Sequence, residues 1–467
     1  MKLYLISVRS ISKPKLKKNH LKIMQKLFNS KISPTSLITP FQQFTALEAS
    51  AGIVMFIAAI AALLWVNLIG LESYENIWKT KLTIGITSFS IDETLHFWIN
   101  EGLMAIFFFV VGLEIKRSMI LGDLSSLKKS AFPIMAAIGG MLIPAAIFIV
   151  LNYNQETING WGIPVATDIA FSLGVLSLLG RKVPLTLKIF LTALAIVDDI
   201  GAVLIIALFY TSEIIWLKIA IAGILLILLI VANISGIRNI TIYCVVGICV
   251  WICFLHSGIH ATIAGVLISM TIPLKVQINT SEFVERCKNL LKYFEPPYHS
   301  RTSKGSSALS TTEQRSALNG LEIAVKEVES PLQRLEHSLH YWVAFFIIPI
   351  FALSNSGFII DQDAISNTGS LTTGIIFGLV AGKPIGIFIF SYLSVKLGIS
   401  NLPSGVNWKQ IVGIGFLGGI GFTMSIFLSG LAFESYDLIS TSKMAIFSAS
   451  LLAGIVGFLI LKLTKTN

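Results

Sequence analysis

The chain has 467 residues, of which 54% are hydrophobic and only 13% are charged, with a mean hydropathy of +0.80 and a formal net charge of +10. Soluble domains carry about 25% charged residues, so this composition excludes an ordinary soluble protein. Apolar runs of about twenty residues indicate membrane helices, and they exclude a membrane β-barrel, whose strands alternate apolar and polar residues over about ten positions.

The chain begins with a strongly basic segment. Residues 1–46 contain no acidic residue, and the first acid is Glu48. The apolar stretch near the N-terminus is too short for a signal peptide. We interpret residues 1–46 as a basic cytoplasmic arm beside anionic lipid, while an organelle transit peptide is the alternative on composition.

The rest of the chain predicts an all-α polytopic membrane protein of about twelve spans. Helices 1–8 fall in residues 47–273 and helices 9–12 in residues 337–463, and a cytoplasmic tail follows at 464–467. Between the two groups lies a long polar cytoplasmic loop at 274–336, which we expect to be part helix and part disorder. The predicted spans are 48–69, 94–113, 131–151, 161–180, 185–210, 214–233, 239–255, 257–273, 337–360, 371–393, 409–432 and 441–463.

The distribution of Lys and Arg predicts the orientation of these spans. With the N-terminus placed inside, thirty Lys and Arg residues fall in the inside segments and four in the outside segments. Cytoplasmic loops carry the excess of positive charge in membrane proteins. Both termini are therefore expected in the cytoplasm, which also requires an even number of spans.

The fifth span contains two adjacent acids, Asp198 and Asp199. A charge at the bilayer centre costs at least about 2.5–3.5 kcal/mol, so such residues usually line a cavity or pair with one another. Successive helix residues differ by about 100° around the axis, so the two acids cannot face the same direction. Burial and mutual repulsion favour proton binding by such carboxylates, and their oxygens suit small hard cations. The pair predicts a site that holds either protons or a cation such as Na⁺ or Li⁺.

Of the 35 cations, Lys383 is the one that this orientation assigns to neither the inside nor the outside segments; it lies within a predicted span and directly precedes Pro384. We expect it to pair with Asp198 and leave Asp199 as the principal sodium ligand. An ion pair that serves stability alone is the alternative. It is disfavoured because the cost of removing both charges from water tends to cancel their attraction.

Two spans contain helix-breaking residues. Gly160, Gly162 and Pro164 precede Thr167 and Asp168, and a second glycine-rich stretch covers residues 415–430. Broken segments in both halves of a chain predict an inverted-repeat transporter with its site at the breaks. We expect Asp168 to offset the positive N-terminal ends of the half-helices and Lys383 the negative C-terminal ends. An offset of 256 residues matches Thr167 with Thr423, Phe171 with Phe427, Gly174 with Gly430 and Gly162 with Gly418.

His256 and His260 are four residues apart, which predicts one helix face for both. A metal-binding pair is the less favoured reading, because the Glu that follows the first His of the metalloprotease motif is Ser257 here. A neutral, hydrogen-bonded histidine or a pH-linked group is favoured. The four cysteines show no strong zinc-binding spacing.

Several long motifs of this sequence together indicate a known family. They are VGLEIKR (111–117), AFPIMAAIGGM (131–141), PVATDIAFSLGVLSLLG (164–180), LKIFLTALAIVDDIGAVLIIALFYT (187–211), SGIHATIAGV (257–266), RLEHSLH (334–340), GKPIGI (382–387) and GIGFTMSIF (419–427). These stretches resemble the bacterial NhaA-type sodium/proton antiporter family. The resemblance implies twelve spans, two of them discontinuous helices that cross near the midplane. It implies that Asp198 and Asp199 bind the ion, that Lys383 pairs with the first of them, and that Thr167 and Asp168 lie at the first helix break.

The same resemblance implies a set of residues linked to pH regulation. Two features depart from the short members of the family, the arm at 1–46 and an insertion near 277–330, and the insertion adds Lys, Arg and Glu next to the implied pH-linked residues. Glu101 stands where the shorter acid Asp is expected. The implied pH-linked residues are Glu114, Arg117, His260, Arg334, Glu336, His337 and His340.

The sequence thus predicts a pH-regulated, electrogenic antiporter of a bacterial inner membrane that exports Na⁺ or Li⁺ in exchange for protons. We expect no cofactor beyond the transported ions and no nucleic-acid partner. Membrane lipid is expected to surround the protein, and a homodimer is one possible oligomeric state. The alternatives are a sodium-coupled solute symporter, a membrane scaffold and an intramembrane aspartyl protease using Asp168 with Asp198. The protease is disfavoured because its Gly-x-Gly-Asp tetrapeptide does not occur in the sequence.

Overall fold

The computed structural model describes residues 40–86, 89–122, 125–211, 214–294, 312–360 and 369–464. The basic arm lies outside the described residues up to position 39, and so does the tail beyond 464. The α-helices are Pro40–Leu64, Leu71–Trp78, Leu95–Phe97, Met104–Ile120, Leu127–Leu151, Ile169–Leu178, Leu185–Phe209, Trp216–Ile234, Ile240–Leu255, Thr262–Thr271, Thr280–Leu291, Thr312–Val328, Pro331–Trp342, Ile348–Asn355, Ser370–Phe377, Lys383–Lys396, Trp408–Gly418, Phe422–Ala432 and Tyr436–Leu463.

Each of the twelve predicted spans coincides with helical structure. In the part of the chain that the structure describes, seven helices are long and apolar enough to cross a membrane, and nine if each of two bent helix pairs counts as one span. Ile240–Leu255 and Thr262–Thr271 are shorter apolar helices, and residues 95–120 form a helix that carries several charges. The prediction of an all-helical polytopic membrane protein is confirmed.

The described part of the chain contains four π-helical turns, of which the first ends its helix before Gly70 and the other three lie inside longer helical stretches. They are Trp65–Ile69, Trp98–Leu103, Val343–Ile347 and Gly378–Gly382. A π turn inserts an extra residue into the helical turn and is frequent at functional positions. The last of the four directly precedes Lys383 and so sets the direction in which this side chain points.

A small β-hairpin, which the sequence does not predict, precedes the second membrane helix. Lys81–Ile86 pairs antiparallel with Phe89–Thr94, with Lys81 opposite Thr94. Lys81 Nζ lies 3.0 Å from Asp92 Oδ2, and the Thr83 hydroxyl donates to Asp92 Oδ1 at 2.7 Å. These contacts lower the pKa of the exposed Asp92 carboxyl, with the Thr83 hydrogen bond as the largest cause.

The long polar loop contains two helices that lie against each other. Arg286 on Thr280–Leu291 bonds Glu327 at the end of Thr312–Val328 at 2.6 Å. Residues 295–311 of this loop lie outside the described residues, and the expectation of partial disorder stays a prediction. The next helix begins at Pro331 behind a capping box formed by Ser330 and Gln333, so the predicted boundary at 336 lies inside a helix.

Glycine lets the helix that carries Lys383 approach its neighbour closely. A Cβ atom on Gly139 would lie 2.2 Å from the carbonyl oxygen of Gly386, and one on Gly386 would lie 2.0 Å from that of Gly139. Small residues of this kind bring membrane helices into backbone contact. The contact places the helix Leu127–Leu151 beside Lys383, whose Cε lies 3.9 Å from the Cβ position of Gly140.

Candidate ion-binding site

Two broken helices meet at the centre of the candidate site. The first broken helix consists of the 3₁₀ segment Glu156–Val165 and the α-helix Ile169–Leu178, bent by 45°. The second consists of Trp408–Gly418 and Phe422–Ala432, bent by 46°. The Asp168 amide donates to the Ile420 carbonyl at 2.7 Å, which joins one break to the other.

The two breaks correspond at a different offset from the predicted one. The first half-helices end at Val165 and Gly418, and the second ones begin at Ile169 and Phe422, so both pairs are 253 residues apart. The predicted offset of 256, which matched Thr167 with Thr423, is therefore wrong by three residues. It matched identical residues, whereas the backbone places Thr167 within its break and Thr423 in the first turn after the other break.

Asp168 serves the N-terminal ends of both second half-helices. It is the N-cap of Ile169–Leu178, and its Oδ1 accepts from the Phe171 amide at 3.0 Å. Its Oδ2 accepts from the amide and the hydroxyl of Thr423, at 3.1 and 2.5 Å. A carboxylate is stabilising at helix N-termini because their amides are unpaired and their partial charge is positive. One buried carboxylate therefore accepts hydrogen bonds at the N-termini of two helices.

Carbonyl groups freed by the breaks accept from side chains of other elements. The Lys383 ammonium donates to the carbonyl of Val165, and the Thr167 hydroxyl donates to that of Gly418 at 2.9 Å. The bilayer offers no water to such groups, and each unsatisfied one costs several kcal/mol. The polar side chains around the crossing therefore satisfy the free backbone carbonyl groups as well as line the site.

The helix Leu185–Phe209 brings Asp198 to this crossing. Lys383 Nζ lies 3.1 Å from Asp198 Oδ2, and both side chains are fully buried. The hydroxyl oxygen of Thr167 lies 2.6 Å from the same oxygen, so its single hydrogen is shared between Asp198 and the Gly418 carbonyl. Asp198 Oδ1 has no hydrogen-bond partner among the described residues. The ion pair leaves one carboxylate oxygen of Asp198 available to another cation.

Asp199 points in a different direction from Asp198, as the helical rotation requires. It lines a cavity of about 80 Å³, and its Oδ2 has no hydrogen-bond partner in the part of the chain that the structure describes. Thr167, Asp168 and Glu114 line the same cavity. One water needs roughly 10–15 Å³ of such volume, so the cavity has room for a small cation with several waters.

Part of the predicted pH-linked set lies next to this cavity. Glu114 and His340 line it, and Arg117 Nε donates to Glu336 Oε1 at 2.9 Å. Glu336 and His340 lie on the helix Pro331–Trp342, which also carries the half-buried Arg334 and the exposed His337.

His260 lies apart from this group. Its Nδ1 is 3.2 Å from Glu101 Oε1, and the other oxygen of Glu101 accepts from the Ala261 amide at 3.2 Å. Both residues line a second, larger cavity of about 630 Å³. The seven predicted pH-linked residues thus fall into two places, with His260 alone at the larger cavity.

The prediction that His256 and His260 share a helix face is wrong. The helix Ile240–Leu255 ends before them, and His256 is its C-cap. Gly258 follows with a φ of +83°, a left-handed conformation that glycine adopts without strain, so the chain between the two histidines is a turn and not a helix. Within the described residues, no group of three or more His, Cys, Asp or Glu side chains has the arrangement of a metal site.

Three buried hydroxyl residues at the crossing were not predicted as site residues. Thr423 donates to Asp168, Ser172 donates to the Leu417 carbonyl, and Ser425 donates to the Ile163 carbonyl. Their sequence signal is a hydroxyl group within a few residues of a predicted break in an apolar segment. A broken membrane helix needs such donors, so the breaks themselves indicate where to look.

Comparison with known proteins identifies the family of this chain. The family model described as Na⁺/H⁺ antiporter 1 matches residues 42–461. A protein named Na(+)/H(+) antiporter NhaA 2 from Syntrophotalea carbinolica is 46% identical over 430 residues, covering 90% of this chain and 96% of the relative. Relatives named Na(+)/H(+) antiporter NhaA from Oleidesulfovibrio alaskensis and Koribacter versatilis are 45% and 43% identical, covering 91% and 94% of this chain and 94% and 95% of the relatives. The chain therefore belongs to the Na⁺/H⁺ antiporter 1 family, as its motifs predict.

Proposed function

We propose that this protein is a secondary transporter that exports Na⁺ or Li⁺ in exchange for protons. The observation that carries the proposal is the fully buried ion pair of Asp198 and Lys383 at the crossing of two broken helices, with Asp199 beside it. The names of the relatives support sodium/proton exchange. No cofactor takes part in this reaction, because the transported ions are its only reactants.

One site serves both ions because they compete for the same oxygens. Asp198 Oδ1 and Asp199 Oδ2 accept from no described residue, and Thr167 adds a hydroxyl oxygen close to Asp198. A proton on these carboxylates removes the negative charge that a hard cation needs, and a bound cation excludes the protons. Exclusive occupancy converts the site into an exchanger.

Lys383 has two partners, and this lowers the free-energy cost of giving up Asp198 to Na⁺. In the absence of a cation it neutralises Asp198 and also donates to the carbonyl of Val165. When Na⁺ occupies Asp198, the ammonium keeps the Val165 carbonyl and the negative end of the first half-helix. A buried ammonium without any partner would instead be strongly unfavourable.

The two cavities supply the access routes in this proposal. The distribution of Lys and Arg supports a cytoplasmic location for the cavity of Asp199, Glu114 and His340 and an outer location for that of Glu101 and His260. The contact of Arg117 with Glu336 beside the inner cavity supports control by cytoplasmic pH. Two protons moved inward per Na⁺ moved outward would make the exchange electrogenic and driven by the membrane potential.

The proposed location is the inner membrane of a bacterium, with both termini in the cytoplasm. The excess of Lys and Arg in the segments assigned to the inside supports this orientation. The apolar helices and the family support a multi-pass membrane protein. Membrane lipid surrounds the helix Trp216–Ile234, of which only 11% is buried inside the protein.

A sodium-coupled symporter for an organic solute fits the site less well. The cavity at Asp199 measures about 80 Å³, whereas pockets for organic ligands measure about 300–1,000 Å³. An aspartyl protease fits less well too, because both oxygens of Asp168 are occupied by helix-end donors. The ion site is small enough for a cation and a few waters only.

Purified protein in proteoliposomes tests the proposal. The protein should collapse an imposed pH gradient when Na⁺ or Li⁺ is added but not when K⁺ is added. Asp198→Asn and Asp199→Asn should abolish this response, because each removes a charge that the cation needs. Asp92→Asn, in the exposed hairpin, is the matched control and should respond like wild type. Wild-type exchange in either buried variant would overturn the proposal.

A further inference from the structure

Two buried serines connect the broken helices in a reciprocal way. Ser172, on the second half of the first broken helix, donates to the Leu417 carbonyl in the first half of the second broken helix, at 2.7 Å. Ser425, on the second half of the second broken helix, donates to the Ile163 carbonyl in the first half of the first, also at 2.7 Å. Neither serine is exposed to solvent.

The two serines occupy equivalent positions in the internal repeat. They are 253 residues apart, the same offset that relates the ends of the half-helices at the two breaks. Their acceptor carbonyls also correspond to within one residue. The same contact therefore occurs twice, once from each broken helix to the other.

Neighbouring serines on the same two helices behave differently. Ser177 donates to the Gly174 carbonyl at 2.7 Å and Ser429 to the Ile426 carbonyl at 2.8 Å, each within its own helix. A serine in a membrane helix commonly bonds a carbonyl three or four residues earlier. Ser172 and Ser425 instead use their hydroxyl groups across the crossing, where the broken backbone leaves acceptors.

We propose that Ser172 and Ser425 are positioning residues that form a reciprocal clamp on the two breaks. The clamp keeps Thr167 where its hydroxyl reaches both Asp198 and the Gly418 carbonyl. It also keeps the Asp168 amide on the Ile420 carbonyl. Because each tie spans both broken helices, removal of either one loosens both breaks. The consequence for transport rests on the proposed function, whereas the clamp itself does not.

Hydrogen–deuterium exchange of the full-length protein in lipid nanodiscs tests the clamp. The reporters are peptides that cover residues 163–168 and 417–423. Ser172→Ala and Ser425→Ala should each speed deuterium uptake in both peptides by about threefold, the effect of one hydrogen bond between membrane helices. Ser177→Ala and Ser429→Ala remove hydroxyl groups that bond within one helix and should leave both peptides unchanged. Wild-type uptake in the Ser172 and Ser425 variants, or faster uptake in one peptide only, would overturn the clamp.

Transport kinetics test whether the clamp positions the ion site. The apparent KM for Na⁺ should rise about threefold in Ser172→Ala and in Ser425→Ala, and further in the double variant, while the maximal rate is retained. Ser→Thr at either position keeps the hydroxyl and should restore the wild-type KM. A fall in maximal rate with unchanged KM would overturn the positioning role. If the wild-type protein exchanges no Na⁺, the proposed function fails, and the deuterium experiment still decides on the clamp.

Discussion

The two broken helices share their geometry but not their charge. Both bend by about 45° at a three-residue break, and each sends one serine to the other. The first has Asp168 at its cap position, whereas the corresponding position of the second is Gly421. The carbonyl end of the first half-helix at Val165 receives the Lys383 ammonium, whereas Gly418 receives the neutral hydroxyl of Thr167.

This difference shows how a repeated backbone can carry an unrepeated site. The second break lacks a cap of its own and uses the spare oxygen of Asp168 through the amide of Thr423. In exchange, its glycines permit close approach to the helix that carries Lys383. The charges belong to the first break, and the second supplies backbone groups and space.

Asp168→Asn should have the largest effect on this comparison, because it removes the charge that serves both breaks. The amide nitrogen of Asn would face the donors of Thr423 and cannot accept from them. Breaking a buried charged contact costs about 3–5 kcal/mol, so Na⁺-dependent exchange in proteoliposomes should fall at least about a hundredfold.

Asp437→Asn is the control for this change, because Asp437 is an exposed acid in the first turn of the helix Tyr436–Leu463. It should retain wild-type exchange. Comparable activity in the Asp168 and Asp437 variants would show that the second break does not depend on the acid of the first.

Gly419→Ala should have the next largest effect, because it fills the space at the second break. A Cβ there would lie 2.3 Å from the carbonyl oxygen of Leu379, a backbone atom that cannot rotate away. Overpacking of this kind costs about 1–3 kcal/mol, so the exchange rate should fall about tenfold. Gly430→Ala, on the same broken helix, meets no atom within 4 Å and should keep the wild-type rate. Equal rates for the two variants would contradict the steric role of the second break.

Thr423→Val should have a smaller effect, because Asp168 Oδ2 keeps the Thr423 amide when the hydroxyl is lost. The apparent KM for Na⁺ should rise about threefold, the value of one interhelical hydrogen bond. Thr271→Val removes a hydroxyl that bonds within its own helix, to the Ile268 carbonyl, and serves as the control. A loss as large as that of Asp168→Asn would mean that the hydroxyl, and not the charge, holds the second break.

The β-hairpin should show the smallest effect, because its ion pair of Lys81 and Asp92 is exposed to solvent. The pKa of Asp92 is lowered by Thr83 and Lys81 in the folded hairpin. Its contribution to the stability of the hairpin is therefore present above the unfolded pKa and is lost as the pH falls through the folded pKa. The protection factors of the hairpin amides, which correct deuterium uptake for the pH dependence of intrinsic exchange, should therefore stay constant from about pH 6 to about pH 9 and fall only below about pH 4. Hairpin opening that follows the pH profile of transport would contradict this separation.

Sequence patterns predicted the features that depend on hydropathy and on rare residues. The spans follow from apolar runs, and Asp198, Asp199 and Lys383 stand out because charges in a membrane are costly. The first break follows from Gly162 and Pro164. The offset that relates the two breaks does not follow from the sequence, because offsets of 253 and of 256 residues each align several identical residues. The serine contacts and the π turns depend on how helices cross, which no local pattern encodes. The end of the helix Ile240–Leu255 before the turn at Gly258 was not predicted, because glycine is also common inside membrane helices.

The number of residues in the π turn at Gly378–Gly382 determines the direction in which Lys383 points. An α-helix rotates by about 100° per residue, so deletion of a single residue from this turn would rotate the lysine by about that angle relative to the preceding half of its helix. The ammonium would then leave both Asp198 and the Val165 carbonyl, although every side chain of the site would still be present. Changes of length in this five-residue stretch are therefore more damaging than most changes of composition.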